Sequence, residues 1–284
     1  MRIVRTIAAV RAEVARTRAA GHRVGLVPTM GAFHDGHLSL MQRARERCDA
    51  VVVSLFVNPT QFAPREDLAA YPRDERADAA RADATGVDLL FAPPVEEIYP
   101  PGFATAVSVA GITEVLCGAR RGRQHFDGVA TVVTKLLNIV TPDVAYFGQK
   151  DAQQALVIQR LVRDLNMPVQ IEVCPTVREA DGLAMSSRNV YLDADDRARA
   201  AAIHRALDAA EATVAGGERR ADVVLGAARA ELTAAGIEPE YLELRSAGDL
   251  SEVDRVNGST LLAVAAHVGR SRLIDNRVLG GDRR

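Results

Sequence analysis

Little in this chain suits a disulfide framework, a membrane span or a nucleic-acid interface. Its 284 residues contain three cysteines, Cys48, Cys117 and Cys174. They are odd in number, far apart and set among apolar or small neighbours, which fits buried thiols in a reducing compartment. Neither sign of charge dominates: 35 Lys and Arg against 37 Asp and Glu leave a formal net charge of −2. No nucleic-acid partner held by bulk electrostatics is therefore expected, and the interspersed basic residues belong on solvated helix faces. No apolar run is long enough to cross a bilayer, and there is no internal repeat or low-complexity linker. The start of the chain is Arg-rich and acid-poor, as transit peptides are. Yet Thr6 can cap a helix whose Ile7, Val10 and Val14 share a face, with Gly21 to end it. The expectation is a cytoplasmic protein with no membrane partner.

The composition, 48% hydrophobic and 25% charged, is that of a globular protein with ample core for one large or two ordinary domains. The chain is organised around residues 28–37, PTMGAFHDGH. An apolar run at 24–27 predicts a short buried strand before it, and Leu38, Leu40, Met41, Ala44 and Cys48 follow at helical spacing. This is a strand-to-helix turn with two glycines and two histidines at its apex. Gly31 and Gly36 let backbone approach a ligand, and the first helical turn offers N–H groups to an anion. His34 and His37 can reach one phosphate, where protonated imidazole would stabilise developing charge. Metal ligation or local satisfaction are the other readings, although no further ligands cluster nearby.

Residues 50–57 form a continuous apolar run of the parallel-sheet type. Pro59 stops it and leaves Asn58 and Gln61 at its carboxyl end, where open α/β sheets bind ligands, so both are read as substrate contacts, the alternative being that they only cap a turn. A polar helix follows Tyr71-Pro72-Arg73-Asp74, then a strand at 87–91, a proline-rich loop at 99–102 and a strand-like run at 106–109. The basic cluster Arg120, Arg121, Arg123 and His125 precedes a long apolar-faced helix and is either a phosphate contact or a solvated loop. The strand at 142–147 delivers Gly148, Gln149, Lys150 and Asp151. Lys150 can neutralise a phosphate and Asp151 can accept from a ribose hydroxyl. Ser186, Ser187 and Arg188, after Gly182, can wrap a polyphosphate. Beyond Leu192, Ala-rich helices and then strands, without βαβ alternation, predict a smaller α+β domain. The boundary is placed near residue 176, giving domains 1–175 and 176–284, with a ligand between them and the second acting as a lid.

Six motifs together resemble the pantoate–β-alanine ligase (pantothenate synthetase) family of the His-x-Gly-His nucleotidyltransferase superfamily: PTMGAFHDGH (28–37), FVNPTQF (56–62), YPRD (71–74), HFDGVATVV (125–133), FGQKDAQQ (147–154) and READGLAMSSRN (178–189). They occur in the family's order over residues 22–192. The resemblance implies an α/β fold: a Rossmann-like, doubly wound parallel sheet carrying nucleotide and pantoate, with a smaller α+β C-terminal domain, in a homodimer. It implies an AMP-forming acid–amino-acid ligase that uses ATP and Mg²⁺ to join pantoate to β-alanine through pantoyl adenylate. By the same resemblance Met30, Gly31, His34, His37, Gly148, Lys150, Asp151, Val177, Met185, Ser186, Ser187 and Arg188 meet ATP. Catalysis then falls to His34, His37, Lys150 and Arg188, and Asn58, Gln61 and Gln154 meet pantoate or β-alanine. No protein ligand of Mg²⁺ is implied.

Phe33 stands where the family usually has Leu, and Gln149 where Glu is common. An apparent insertion before His125 leaves open whether Arg121 or Arg123 faces the site. One rival is another His-x-Gly-His transferase acting on a phosphorylated acceptor, which would favour extra cations where this chain offers the amides of Gln61 and Gln154. The other is a silent nucleotide-binding module, which would have lost residues needed only for chemistry; His34, His37, Lys150, Ser186, Ser187 and Arg188 are all present.

Overall fold

A computed structural model describes residues 1–62, 68 and 71–281. In chain order the elements are β1 (Arg2–Val4), α1 (Ile7–Ala19), β2 (Val24–Thr29), α2 (Asp35–Arg47), β3 (Ala50–Leu55), α3 (Glu75–Ala84), β4 (Leu89–Phe91), α4 (Val95–Ile98), α5 (Cys117–Arg121), α6 (Arg123–Val140), β5 (Val144–Gly148), α7 (Ala152–Asp164) and β6 (Gln170–Cys174). After them come α8 (Ala194–Ala215), α9 (Ala221–Ala234), β7 (Pro239–Ser246), β8 (Thr260–Val268) and β9 (Ser271–Leu279). Strands β1 to β6 form one parallel sheet in the order β1-β4-β3-β2-β5-β6, and β7 to β9 a separate antiparallel one.

The parallel sheet is doubly wound because its strands bury both faces. Leu26 and Val52 pack with α1 and α6 on one side, while Val27, Val51 and Val53 pack with Met41, Ala44 and Ala82 of α2 and α3 on the other. The strand order reverses between β2 and β5, and ligands bind in the crevice at such a switch point. Pro28 helps to open it: lacking an N–H, it cannot extend the ladder, and β2 pairs with β5 only at Gly25 and Leu26, although its pairing with β3 runs on to Thr29.

The second sheet is also covered twice. Leu262, Val264, Ala266 and Val268 of β8 pack on α8 and α9. Alternate residues Leu261, Ala263 and Ala265 share a cluster with Cys117, Phe126 and Val157. Two buried faces explain why β8 is apolar from Leu261 to Ala266.

Thr6 caps α1 as expected, accepting from the Ala9 N–H. The run at 106–109 departs from expectation: it joins neither sheet, and the Val107 N–H instead donates to Thr131 Oγ1 at 2.9 Å. Strand β1 was not foreseen, being three residues of edge paired to β4.

Candidate active site

The turn after β2 curls around a carboxylate. Gly31 (φ 88°) and Ala32 (φ 54°) are both left-handed, and buried Asp78 of α3 accepts from the N–H groups of Ala32 at 2.8 Å and Phe33 at 2.7 Å. A Cβ on Gly31 would lie 2.7 Å from Leu55 Cδ1 and 2.9 Å from Asp78 Oδ2. The glycine thus makes room for Asp78, and Gly31 itself does not line the cavity beside the turn. Arg81, one turn further along α3, donates to the Phe33 carbonyl. Nothing in the polar helix pattern of α3 marked Asp78 for this role.

His34 caps α2. Its Nδ1 accepts from the Gly36 N–H at 3.2 Å, and His37 Nδ1 accepts from the His34 N–H at 3.3 Å, closing a reciprocal capping box. Two of the N–H groups expected to meet an anion directly are therefore occupied by imidazole. Burial, reinforced by Lys150, lowers the His34 pKa to about 4, and burial, then His34 and Lys150, lowers that of His37 to about 3. Both rings are neutral at neutral pH, which corrects the expected imidazolium. An Nδ1 that accepts must carry a lone pair, so each neutral ring holds its proton on Nε2. The ring centroids lie 4.2 Å apart, and both residues line a cavity of about 250 Å³ at the carboxyl ends of β2 and β5. Met30 borders it as well. Beside Gly36, a Cβ would sit 3.7 Å from Met185 Cβ and only 2.9 Å from the His34 ring.

Across the cavity, β5 ends at Gly148 and a 3₁₀ turn over Gln149–Asp151 carries Lys150, whose Nζ lies 3.9 Å from Asp151 Oδ2. The 177–188 segment supplies the third wall. The Arg178–Ala184 bridge and the Met185 N–H bond to the Val177 carbonyl shape it as a hairpin. Gly182 (φ 87°) sits at its tip, where a Cβ would lie 2.0 Å from the His204 ring. Val177, Met185, Ser186, Ser187 and Arg188 all line the cavity. Tyr71, foreseen only as part of a motif, bonds Ser187. Burial pushes its phenol above the ordinary range, against that hydrogen bond and the nearby Arg188.

At the far end Asn58 is 1% exposed. Its Nδ2 donates to the Gly128 carbonyl at 3.1 Å and to Gln61 Oε1 at 3.0 Å, while its Oδ1 accepts from Tyr99 at 2.8 Å and Thr60 Oγ1 at 2.9 Å. A carbonyl can only accept, so the Asn58 amide is oriented without ambiguity. Gln61 is oriented in turn, its Oε1 engaged by Asn58 and its Nε2 on the other side of the amide. His125 holds the same residue by its backbone, donating from Nδ1 to the Gln61 carbonyl at 2.8 Å while Nε2 accepts from Arg121 at 2.9 Å. Arg121 lines the cavity together with Gln154. Arg123 turns to Ser108 Oγ at 2.8 Å and Asp127 at 3.6 Å. A wider cleft of about 1040 Å³, bounded by the second sheet, shares Lys150, Asp151, Gln154, Ser186, Ser187 and Arg188 with the cavity. Of the expected site residues only Gly31 is set back from the cavity.

Known proteins resemble this chain along nearly their whole length. A profile described as pantoate-beta-alanine ligase matches residues 2–278. A pantothenate synthetase from Moorella thermoacetica is 55% identical over 280 residues, covering 98% of this chain and 99% of that one. The crystal structure of pantothenate synthetase from Thermus thermophilus superposes with a TM-score of 0.93 at 46% identity, over 98% of this chain and 99% of that one. A pantoate-beta-alanine ligase from Francisella tularensis, complexed with beta-gamma ATP and beta-alanine, gives 0.81 at 33% identity, over 98% and 97%. With profile, sequence and fold in agreement from end to end, the chain belongs to the pantoate–β-alanine ligase family.

Proposed function

We propose that this protein joins pantoate to β-alanine at the expense of ATP, releasing AMP and pyrophosphate, and that the cavity between β2 and β5 is where it does so. The observation that carries this reading is that His34 and His37, each with Nδ1 engaged by a backbone N–H and Nε2 left as its donor, line the same cavity at the switch point as Lys150. A carboxylate becomes an acceptor for an amine only when its oxygen is made a leaving group. A pantoate carboxylate oxygen attacks the α-phosphorus of ATP; the O–P bond forms and the bond to the β,γ-pyrophosphate breaks. The β-alanine amine then attacks the acyl carbon, loses a proton as the amide forms, and AMP departs with the acyl oxygen.

No protein nucleophile is needed, so catalysis rests on positioning and charge. His34 and His37 donate from Nε2 to phosphate oxygens while their Nδ1 atoms stay locked to backbone. Lys150 and Arg188 take up charge that grows on the departing pyrophosphate, and Ser186 and Ser187 hold its oxygens. Val177, with Met30, Gly148 and Asp151, frames the nucleoside. Gln61 Nε2 and Gln154 meet pantoate or β-alanine, and Asn58 acts through Gln61.

Among the described residues no group of three or more His, Cys, Asp or Glu is placed to hold a metal, and Asp151 is the carboxylate that lines this cavity. That donor set fits a Mg²⁺ carried in on ATP phosphates and water, with Asp151 beside it; when bound it neutralises phosphate charge. The division into residues 1–175 and 176–284, a homodimer and a cytoplasmic location belong to the same reading. Among the described residues no helix is long and apolar enough to cross a membrane.

The test is product release with ATP and Mg²⁺. A stoichiometric burst of pyrophosphate with pantoate alone, becoming turnover with AMP once β-alanine is added, is the expected result. Pyrophosphate only with a different, phosphorylated acceptor would move the protein to the rival transferase class.

A further inference from the structure

The cation opposite the histidines is held by a residue that no motif marks. Asn276 of β9 is 6% exposed. Its Nδ2 donates to the carbonyls of Gln149 and Lys150, both at 2.9 Å, and its Oδ1 accepts from Gln149 Nε2 at 2.8 Å. Those two carbonyls belong to the peptide groups on either side of the Lys150 Cα. Fixing both planes fixes φ and ψ of Lys150, and so the direction in which its side chain leaves the backbone. The preceding residue anchors the other phosphate segment. Asp275, 2% exposed, receives Arg178 at 2.6 and 3.1 Å, and Arg178 also holds the Gly182 carbonyl at 3.0 Å in the hairpin that leads to Ser186. Asp275 Oδ1 accepts from the Asn276 N–H at 2.8 Å, which joins the two anchors.

We propose that Asn276 is a positioning residue for adenylation: from the second sheet it aims Lys150 at the phosphates, in register with the hairpin held by Asp275. This rests on the reading of Lys150 as a phosphate contact. An Asn276→Ala change leaves Lys150 present but unaimed, and misplacement by about 1 Å costs up to roughly 100-fold in rate. The effect falls on the chemical step, because Gln61 and Gln154 lie on other elements.

The experiment is single-turnover pyrophosphate release with ATP, Mg²⁺ and pantoate, measured for wild type, Asn276→Ala, Lys150→Ala and the double variant. Asn276→Ala is expected to slow release about 10- to 100-fold with the pantoate KM changed less than about threefold. In the Lys150→Ala background the same change should cost almost nothing, since there is no ammonium left to aim. An equal slowing in both backgrounds overturns the proposal and shows a merely structural role. Lys150→Ala releasing pyrophosphate as fast as wild type overturns it for a different reason, because the reading of Lys150 itself then fails. Asn276→Asp is the size-matched second variant. It keeps the acceptor for Gln149 but turns a carboxylate oxygen toward two carbonyls, so it should lose as much as Asn276→Ala, and full activity in it refutes the assignment.

Discussion

Removing the Asp78 carboxylate should cost both stability and catalysis, by separable amounts. In Asp78→Ala the N–H groups of Ala32 and Phe33 lose their acceptor. Phe33 is 4% exposed, so its N–H has little access to replacement water. A buried donor left unpaired costs about 1–3 kcal/mol. Partial hydration near Ala32 brings the sum for the pair to roughly 2–4 kcal/mol, set against a total stability of about 5–15 kcal/mol. Two consecutive left-handed residues, one of them alanine, would also relax once nothing holds them. For a chain of this size each kcal/mol lowers the melting temperature by about 2–4 °C, so a fall of roughly 4–16 °C is expected. His34 begins two residues after Ala32, and a shift of about 1 Å there would slow the pyrophosphate burst up to roughly 100-fold. Asp78→Asn keeps one acceptor and should fall between the two proteins in both assays. A variant Asp78→Ala that melts within about 1 °C of wild type, with an unchanged burst, would refute the view that this carboxylate shapes the turn.

Truncating Lys150 or Arg188 to Ala should lower turnover by about 100- to 1000-fold while the pantoate KM stays within a few-fold, as expected of groups that act on transition-state charge; equal losses in both parameters would contradict that assignment. Acid should destabilise the protein through the histidine pair. Unfolded imidazoles take protons near pH 6.5, while the folded rings resist until about 4 for His34 and about 3 for His37. The unfolded chain therefore binds more protons in between, and stability falls as pH drops from about 6.5 toward 4. The His34 contribution is on the order of 3 kcal/mol, and urea denaturation of His34→Asn, which keeps a capping side chain, should show a shallower acid limb. An acid limb identical to wild type would place the titration elsewhere.

The sequence displayed what is local. Apolar runs and their stop signals located β2, β3, β5 and the helices α2, α3 and α6 between them, and the polar residues at strand ends proved to line one cavity because a doubly wound sheet gathers carboxyl ends at its switch point. Other features come from distant partners that no periodicity reports. The neutral state of His34 and His37 arises from their burial, reinforced by Lys150, although pattern alone suggested a charged pair. Asp78 and Asn276 sit on a polar helix and a late strand, and their roles appear only with the turns they bond. Residues 106–109 have the composition of a strand but lie against α6 rather than in a sheet. Arg121 and Arg123 could not be told apart until the break between α5 and α6 set one toward His125 and the other toward Ser108.

The alternation along β8 bears on how the molecule comes apart. Leu261, Ala263 and Ala265 share one apolar cluster with Phe126 and Val157, so the surface joining the two sheets is built like an interior. A fragment ending near residue 175 would strand Phe126 and Val157 in water, and the remainder would bare one whole face of its sheet. The two halves are thus distinct in topology but one unit in thermodynamics. Heating should melt them in a single cooperative transition, and a movement of the 177–188 hairpin could admit substrate with this shared core still closed.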